Sequence, residues 1–204
     1  MAKLNIMDTQ TKVTGVILAG GLARRMNNQD KGLIRFKGQP MVSYAIAAMS
    51  MVADQTIINA NRNIAEYQVF GLPVVSDQTD SFDGPLAGVL TAMMFAQTGL
   101  LLVMPCDSPL VKPIHLQKLL SARAENDADV AVAFDGERLH PVFLAIKVVL
   151  KASLQEYLQS GQRKIDTWLE QHKMVKADFS AEPEIFININ SMAELTDLEA
   201  QDEG

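Results

Sequence analysis

The stretch TGVILAGGLARRMNNQDKGL, residues 14–33, decides how this chain is read. With Val13 in front, its first part is apolar and β-branched through Leu18, the pattern of a strand buried on both faces of a parallel sheet. Gly20 and Gly21 follow at the strand end, and then come Arg24, Arg25 and Lys31. Glycine lets a loop turn tightly and lets a ligand approach the main chain, whose successive N–H groups can form a nest for anions. Arg25 offers a planar fork to phosphate oxygens, and Lys31 a mobile point charge. The segment matches neither the P-loop nor the dinucleotide fingerprint. A lone Gly-Gly near arginines is more often a plain strand-to-helix turn with solvated charges.

The rest of the chain sharpens the contrast. Its 204 residues carry a net charge of −6, with 48 % hydrophobic and 21 % charged residues. That suits one soluble domain spanning 1–204, in which residues 1–12 read as a loosely ordered N-terminal extension. An acidic chain repels nucleic acid, so its dense basic cluster fits a small anion better than a polymer. No apolar run is long enough for a membrane span, and the first residues lack the apolar block of a secretory signal. Cys106 is the single cysteine, which excludes an intrachain disulfide. Together these features predict a cytoplasmic protein with no membrane partner.

Downstream, strand and helix alternate. QTIINA (55–60), LPVVSD (72–77) and LLVMPCD (101–107) read as short strands ending in polar residues. Helices are expected from Met41 after Pro40, from Pro85 to about Gly99, and from Pro113. ADVAVAF and HPVFLAIK read as two strands joined across DGERL, and two helical segments follow, over 148–159 and 164–172. EIFININ (184–190) reads as the last strand, and residues 191–201 as a terminal helix with Ser191 and Glu194 in a capping box. This order predicts an α/β fold with a mainly parallel sheet. Ligands in such sheets sit beyond the carboxyl ends of the strands.

With LAGGLARRMNNQDKG, the motifs NANR (59–62), SD (76–77), GPLAG (84–88), PCDSP (105–109), DGERLHP (135–141) and FININ (186–190) occur in one order. This set resembles the molybdenum cofactor guanylyltransferases, a branch of the nucleotidyltransferases, over nearly the whole chain after residue 12. The resemblance implies a three-layer α/β/α, nucleotidyltransferase-like (Rossmann-like) fold. It implies transfer of GMP from GTP to the terminal phosphate of the molybdenum-molybdopterin cofactor, giving molybdenum guanine dinucleotide and pyrophosphate, with Mg²⁺ required. Matching nucleotide-site positions are Leu18, Ala19, Gly20, Lys31, Asn59, Asp77 and Asp107, with Asp107 at the metal-binding aspartate. Gly21, Gly84 and Asn190 are added as cofactor-binding candidates, and Arg25, Lys31 and Asp107 as the catalytic set. Transient contact with proteins that deliver and receive the cofactor is expected. The chain departs from the family's pattern at Leu22, where Lys is frequent, and at Asn27 and Asn28, where Gly is frequent. Leu22 removes one phosphate cation, whereas Asn tolerates the left-handed backbone and keeps the loop's path open.

Each residue also has a plainer role. Asp107 and Asp77 can be turn residues after strands. Asn188 and Asn190 share one face of an expected strand, where hydrogen bonding at a strand end competes with a ligand role. Gly84 can simply precede a helix, His140 can be a turn histidine near the pterin or away from it, and Cys106 reads as a small core residue. Two other functions compete: a cytidylyltransferase or sugar-phosphate nucleotidyltransferase, and a non-catalytic nucleotide or cofactor carrier on the same fold.

Overall fold

In the computed structural model, residues 11–19, 30–77, 84–187 and 194 are described. Strand β1, Val13–Leu18, lies in the interior of a seven-stranded sheet. It pairs in parallel with β4, Gln55–Asn59, on one side and with β6, Leu100–Pro105, on the other. Its apolar run is explained by that position, for Val16 and Ile17 are fully buried on opposite faces. Each such side chain contributes about 1.5–3 kcal/mol on burial.

The first half of the chain adds two small strands, β2 (Arg35–Phe36) and β3 (Gln39–Pro40), paired in a hairpin. Lys37 and Gly38 at its tip both have positive φ, as a two-residue turn of the I′ type requires. The main sheet gains β5, Val74–Val75, parallel to β4. Beyond β6, the strands β7 (Val130–Phe134) and β8 (Leu139–Lys147) pair antiparallel, and β8 is also antiparallel to β6. The edge strand β9, Met174–Asp178, is parallel to β7. The order is β5-β4-β1-β6-β8-β7-β9, so β8 alone runs against the rest of this mixed, mostly parallel sheet.

Helices cover both faces. α1 (Met41–Ser50), Tyr67 of α2 (Ile64–Gln68) and α4 (Pro113–Glu125) pack on one side. α3 (Pro85–Phe95), α5 (Lys151–Gln159) and α6 (Ile165–Leu169) pack on the other. The α/β class expected from the alternation and the three-layer arrangement implied by the family resemblance are the observed ones. Among the described residues, no helix is long and apolar enough to cross a membrane.

The last expected strand differs from its expectation. Pro183–Phe186 is a 3₁₀ turn, not the start of a strand. The consecutive side chains Ile185 and Phe186 are both buried in the same core cluster, which a pleated strand would send to opposite faces. Phe186 packs between His140, Phe143 and Phe179. Strand β9 carries no such strong signal: Ala177 is its one buried residue, and Lys176 and Asp178 are exposed, as suits a protected sheet edge. The expected terminal helix lies outside the described residues apart from Glu194, which is helical.

Candidate active site

The carboxyl ends of β1, β4, β5 and β6 lie side by side. Main-chain bonds continue past the strands: Ala19 N–H donates to Asn59 O (2.8 Å), Cys106 N–H to Leu18 O (3.1 Å) and Ala60 N–H to Val75 O (2.9 Å). This edge therefore brings together Leu18, Ala19, Asn59, Asp77 and Asp107 from four strand ends. β1 leads toward β4 and β5, while β6 lies on the opposite side of β1, so the edge contains the change in strand order where α/β sheets bind ligands.

Two polar clusters stand there. The first is built on carboxamides. Asp77 Oδ1 accepts from Asn59 Nδ2 (2.9 Å) and Thr91 Oγ1 (3.1 Å), and its Oδ2 accepts from Asn61 Nδ2 (2.8 Å). Asp77 N–H in turn donates to Asn61 Oδ1 at 2.8 Å. Asn59 is buried, and its Nδ2 also reaches Val75 O at 3.3 Å. Gly88 in α3 makes room for this arrangement, because a Cβ there would collide with Asn59 Oδ1 and with Leu18 Cδ2. Gly84, with φ of 74°, precedes the helix in a backbone conformation that favours glycine.

The second cluster is ionic. Lys31 Nζ donates to Asp107 Oδ2 at 2.9 Å, and the side chains are only 22 % and 10 % exposed. Lys31 opens a 3₁₀ turn, Lys31–Leu33, whose N-cap is Asp30. Asp30 is buried and accepts hydrogen bonds from the Tyr67 hydroxyl, from Gly32 N–H (3.3 Å) and from Asn63 Nδ2 (3.3 Å). Burial raises the Asp30 pKa above its ordinary value, against the lowering effects of those three donors and the nearby Arg62 charge. Burial also pushes the Cys106 thiol well up, helped by the negative charges of Asp107 and Asp30, so Cys106 stays a neutral core residue.

Gly20, Gly21, Arg25 and Asn190, all named from the sequence, lie outside the described residues. Asn61, Thr91, Asp30 and Tyr67 were not anticipated as members of these clusters. Asn61 stands two residues from Asn59 in the NANR motif, which is the nearest thing to a signal.

Farther along the same edge, His140, the second residue of β8, lies opposite Ala133 near the end of β7. Its Nε2 is 2.6 Å from Asp135 Oδ2, and its ring stacks on Phe186 with centroids 4.1 Å apart. The Arg138 N–H, His140 and the Glu137 N–H hold Asp135 below the usual carboxylate range, so Asp135 accepts and His140 Nε2–H donates.

Among the described residues, no group of three or more His, Cys, Asp or Glu side chains is arranged to hold a metal. A lone Asp107 carboxylate still fits Mg²⁺, which keeps several waters and commonly shares one or two carboxylates with substrate phosphates.

The family model described as MobA-like NTP transferase domain matches residues 15–175. A molybdenum cofactor guanylyltransferase from Shewanella loihica is 46 % identical over 180 residues, covering 88 % of this chain and 92 % of its own. One from Shewanella frigidimarina is 45 % identical over 190 residues, covering 93 % and 97 %. The crystal structure of molybdopterin-guanine dinucleotide biosynthesis protein A from Archaeoglobus fulgidus superposes with a TM-score of 0.76 at 20 % identity, covering 93 % of this chain and 98 % of that one. That last likeness speaks for the fold, and the first three for kinship: the chain belongs to the molybdenum cofactor guanylyltransferases of the MobA-like NTP transferase family.

Proposed function

We propose that this nucleotidyltransferase moves GMP from GTP to the terminal phosphate of the molybdenum-molybdopterin cofactor. The reading is supported most by the Lys31–Asp107 pair at the end of β6, next to the end of β1. A phosphate oxygen of the acceptor attacks the α-phosphorus of GTP. The bond from that phosphorus to the β-phosphate oxygen breaks, and pyrophosphate leaves with the electron pair. Both reactants are anions, so positioning and charge neutralisation dominate such a step. The acceptor phosphate is already ionised near neutral pH, so no general base is needed.

Lys31 supplies one positive charge to the phosphates, and Arg25 is assigned a second. Asp107 is the residue that would hold Mg²⁺, which on binding supplies further neutralisation of phosphate oxygens. The carboxamide cluster is assigned to the base. A carboxylate has about four lone-pair sites, and Asp77 already accepts three hydrogen bonds. Asp77 therefore offers guanine one acceptor position and otherwise holds Asn59 and Asn61 in place. The aromatic face around His140 is assigned to the pterin.

Calorimetry with GTP, CTP and ATP in the presence of Mg²⁺, on wild type and Asp77→Ala, tests the nucleotide. GTP-selective binding that weakens in the variant supports the reading. A preference for CTP replaces it with a cytidylyltransferase. Binding without magnesium-dependent pyrophosphate release in the presence of molybdenum-molybdopterin points to a carrier.

A further inference from the structure

Lys31 carries its charge on a flexible four-carbon stem, which has rotamer freedom to lose when it is fixed. Its aim therefore depends on how firmly its backbone is held. That backbone sits on a buried knot. The Asp30 carboxylate caps the turn through Gly32 N–H and is bonded to the Tyr67 hydroxyl and the Asn63 amide. Tyr67 is fully buried within α2, and Asn63 is the left-handed N-cap of the same helix, with φ of 51°. On its other side the turn rests against the end of β6. A Cβ at Gly32 would stand 2.5 Å from the Tyr67 hydroxyl oxygen and 3.2 Å from Cys106 Sγ. The residue after Cys106 is Asp107, the partner of Lys31.

A simple turn cap needs only the Gly32 N–H. Burying a carboxylate is unfavourable even after relaxation, and such a group is kept where its partners compensate for that cost. The Tyr67 hydroxyl is itself pushed far above its ordinary pKa, chiefly by burial and further by Asp30. It stays protonated, so it donates to Asp30. Arg62 adds a positive charge beside the pair.

We propose that Asp30 and Tyr67 are positioning residues for Lys31. Together they lock the turn between α2 and the end of β6 so that the ammonium is aimed at Asp107 and at the nucleotide's phosphates. The inference rests on the assignment of the Lys31–Asp107 pair to the phosphates of GTP.

The test compares the binding of GTP and of guanosine, each with Mg²⁺, by calorimetry. Tyr67→Phe removes the hydroxyl. Asn63→Gly, at an exposed position already in the left-handed region, removes the second donor with little risk to folding. Each is expected to weaken GTP binding by about three- to tenfold, the effect of one hydrogen bond, and to leave guanosine binding unchanged. In a Lys31→Ala background neither should have any further effect on GTP. Equal losses for GTP and guanosine, the same loss with Lys31 absent, or no loss in either variant would overturn the positioning role. A wild type that binds no GTP would overturn the phosphate assignment itself, and the positioning role with it.

Discussion

The two clusters at the carboxyl edge differ in what they leave open. Around Asp77, neutral donors occupy both carboxylate oxygens and the backbone N–H is used as well. Such a network is rigid, and it can reward one shape of partner with few new bonds. Around Asp107, one full positive charge faces one full negative charge at 2.9 Å in a partly buried setting. A pair of that kind responds to any incoming charge, of either sign. Under the proposed function the contrast is a division of labour, with recognition assigned to the ends of β4 and β5 and chemistry to the end of β6.

The largest effect should come from breaking the ionic side. Asp107→Ala removes the carboxylate that Lys31 contacts at 2.9 Å and, with it, the proposed magnesium ligand. Turnover should fall by about 10²–10³, measured as initial rates of pyrophosphate release across a magnesium titration. Guanosine binding should not change. Full activity in this variant would remove Asp107 from the chemistry.

Asp77→Ala is the converse cut. It frees the amides of Asn59 and Asn61 and strips a buried donor set of its acceptor, a loss of about 1–3 kcal/mol. Discrimination of GTP over ATP should drop about tenfold or more, while the dependence of the rate on magnesium stays as in wild type. If Asp77→Ala changed the magnesium dependence instead, the two clusters would not be separable.

Gly88→Ala presses on the same cluster more gently. In an exposed helix interior this change gains about 1 kcal/mol. Here the new methyl meets Asn59 Oδ1 and Leu18 Cδ2, and Asn59 cannot swing away because its amide nitrogen is bonded to Asp77 and Val75. Overpacking costs about 1–3 kcal/mol, so strain outweighs propensity. The variant should melt at a lower temperature and lose base selectivity severalfold. A higher melting temperature would show that Asn59 has room to move.

Legibility followed burial and distance along the chain. β1 and β6 could be read because strands enclosed on both faces are apolar throughout, and Pro40 and Pro85 marked the starts of α1 and α3. β9 could not be read, since an edge strand with charged residues looks like a loop. The start of EIFININ misled, because Ile185 and Phe186 turn together into an aromatic core that the local pattern does not show, while residues 188–190 of that expected strand lie outside the described residues. Asn59, Asp77, Lys31 and Asp107 were nameable as polar residues in ordered motifs. Their supports were not: Thr91 lies 14 residues from Asp77, and Tyr67 lies 37 from Asp30. Such contacts exist only after the sheet has assembled.

The smallest effect sets the pH window in which the comparison can be run. His115 and His172 have pKa values lowered from 6.5, in each case chiefly by burial. Glu182, 3.8 Å from His115, and Asp129, near His172, pull the other way without prevailing. The unfolded chain therefore takes up protons near pH 6.5, where the folded chain does not, and stability falls as pH drops through 6.5 toward the lowered values. Asp30 acts with the opposite sign, because its raised pKa makes the folded state hold its proton from the raised value down to 3.8. Melting temperature should thus decline between pH 7 and pH 5, by roughly 2–4 °C for each kcal/mol lost in a chain of this size. His115→Asn offers an amide oxygen near the place where His115 Nδ1 accepts the Lys112 N–H at 3.0 Å, and it does not titrate. It should flatten the decline. An unchanged slope would assign the acid sensitivity to His172 or to the carboxylates. The comparison of the two clusters should accordingly be made above pH 6.5, where a loss of GTP binding cannot be mistaken for a loss of fold.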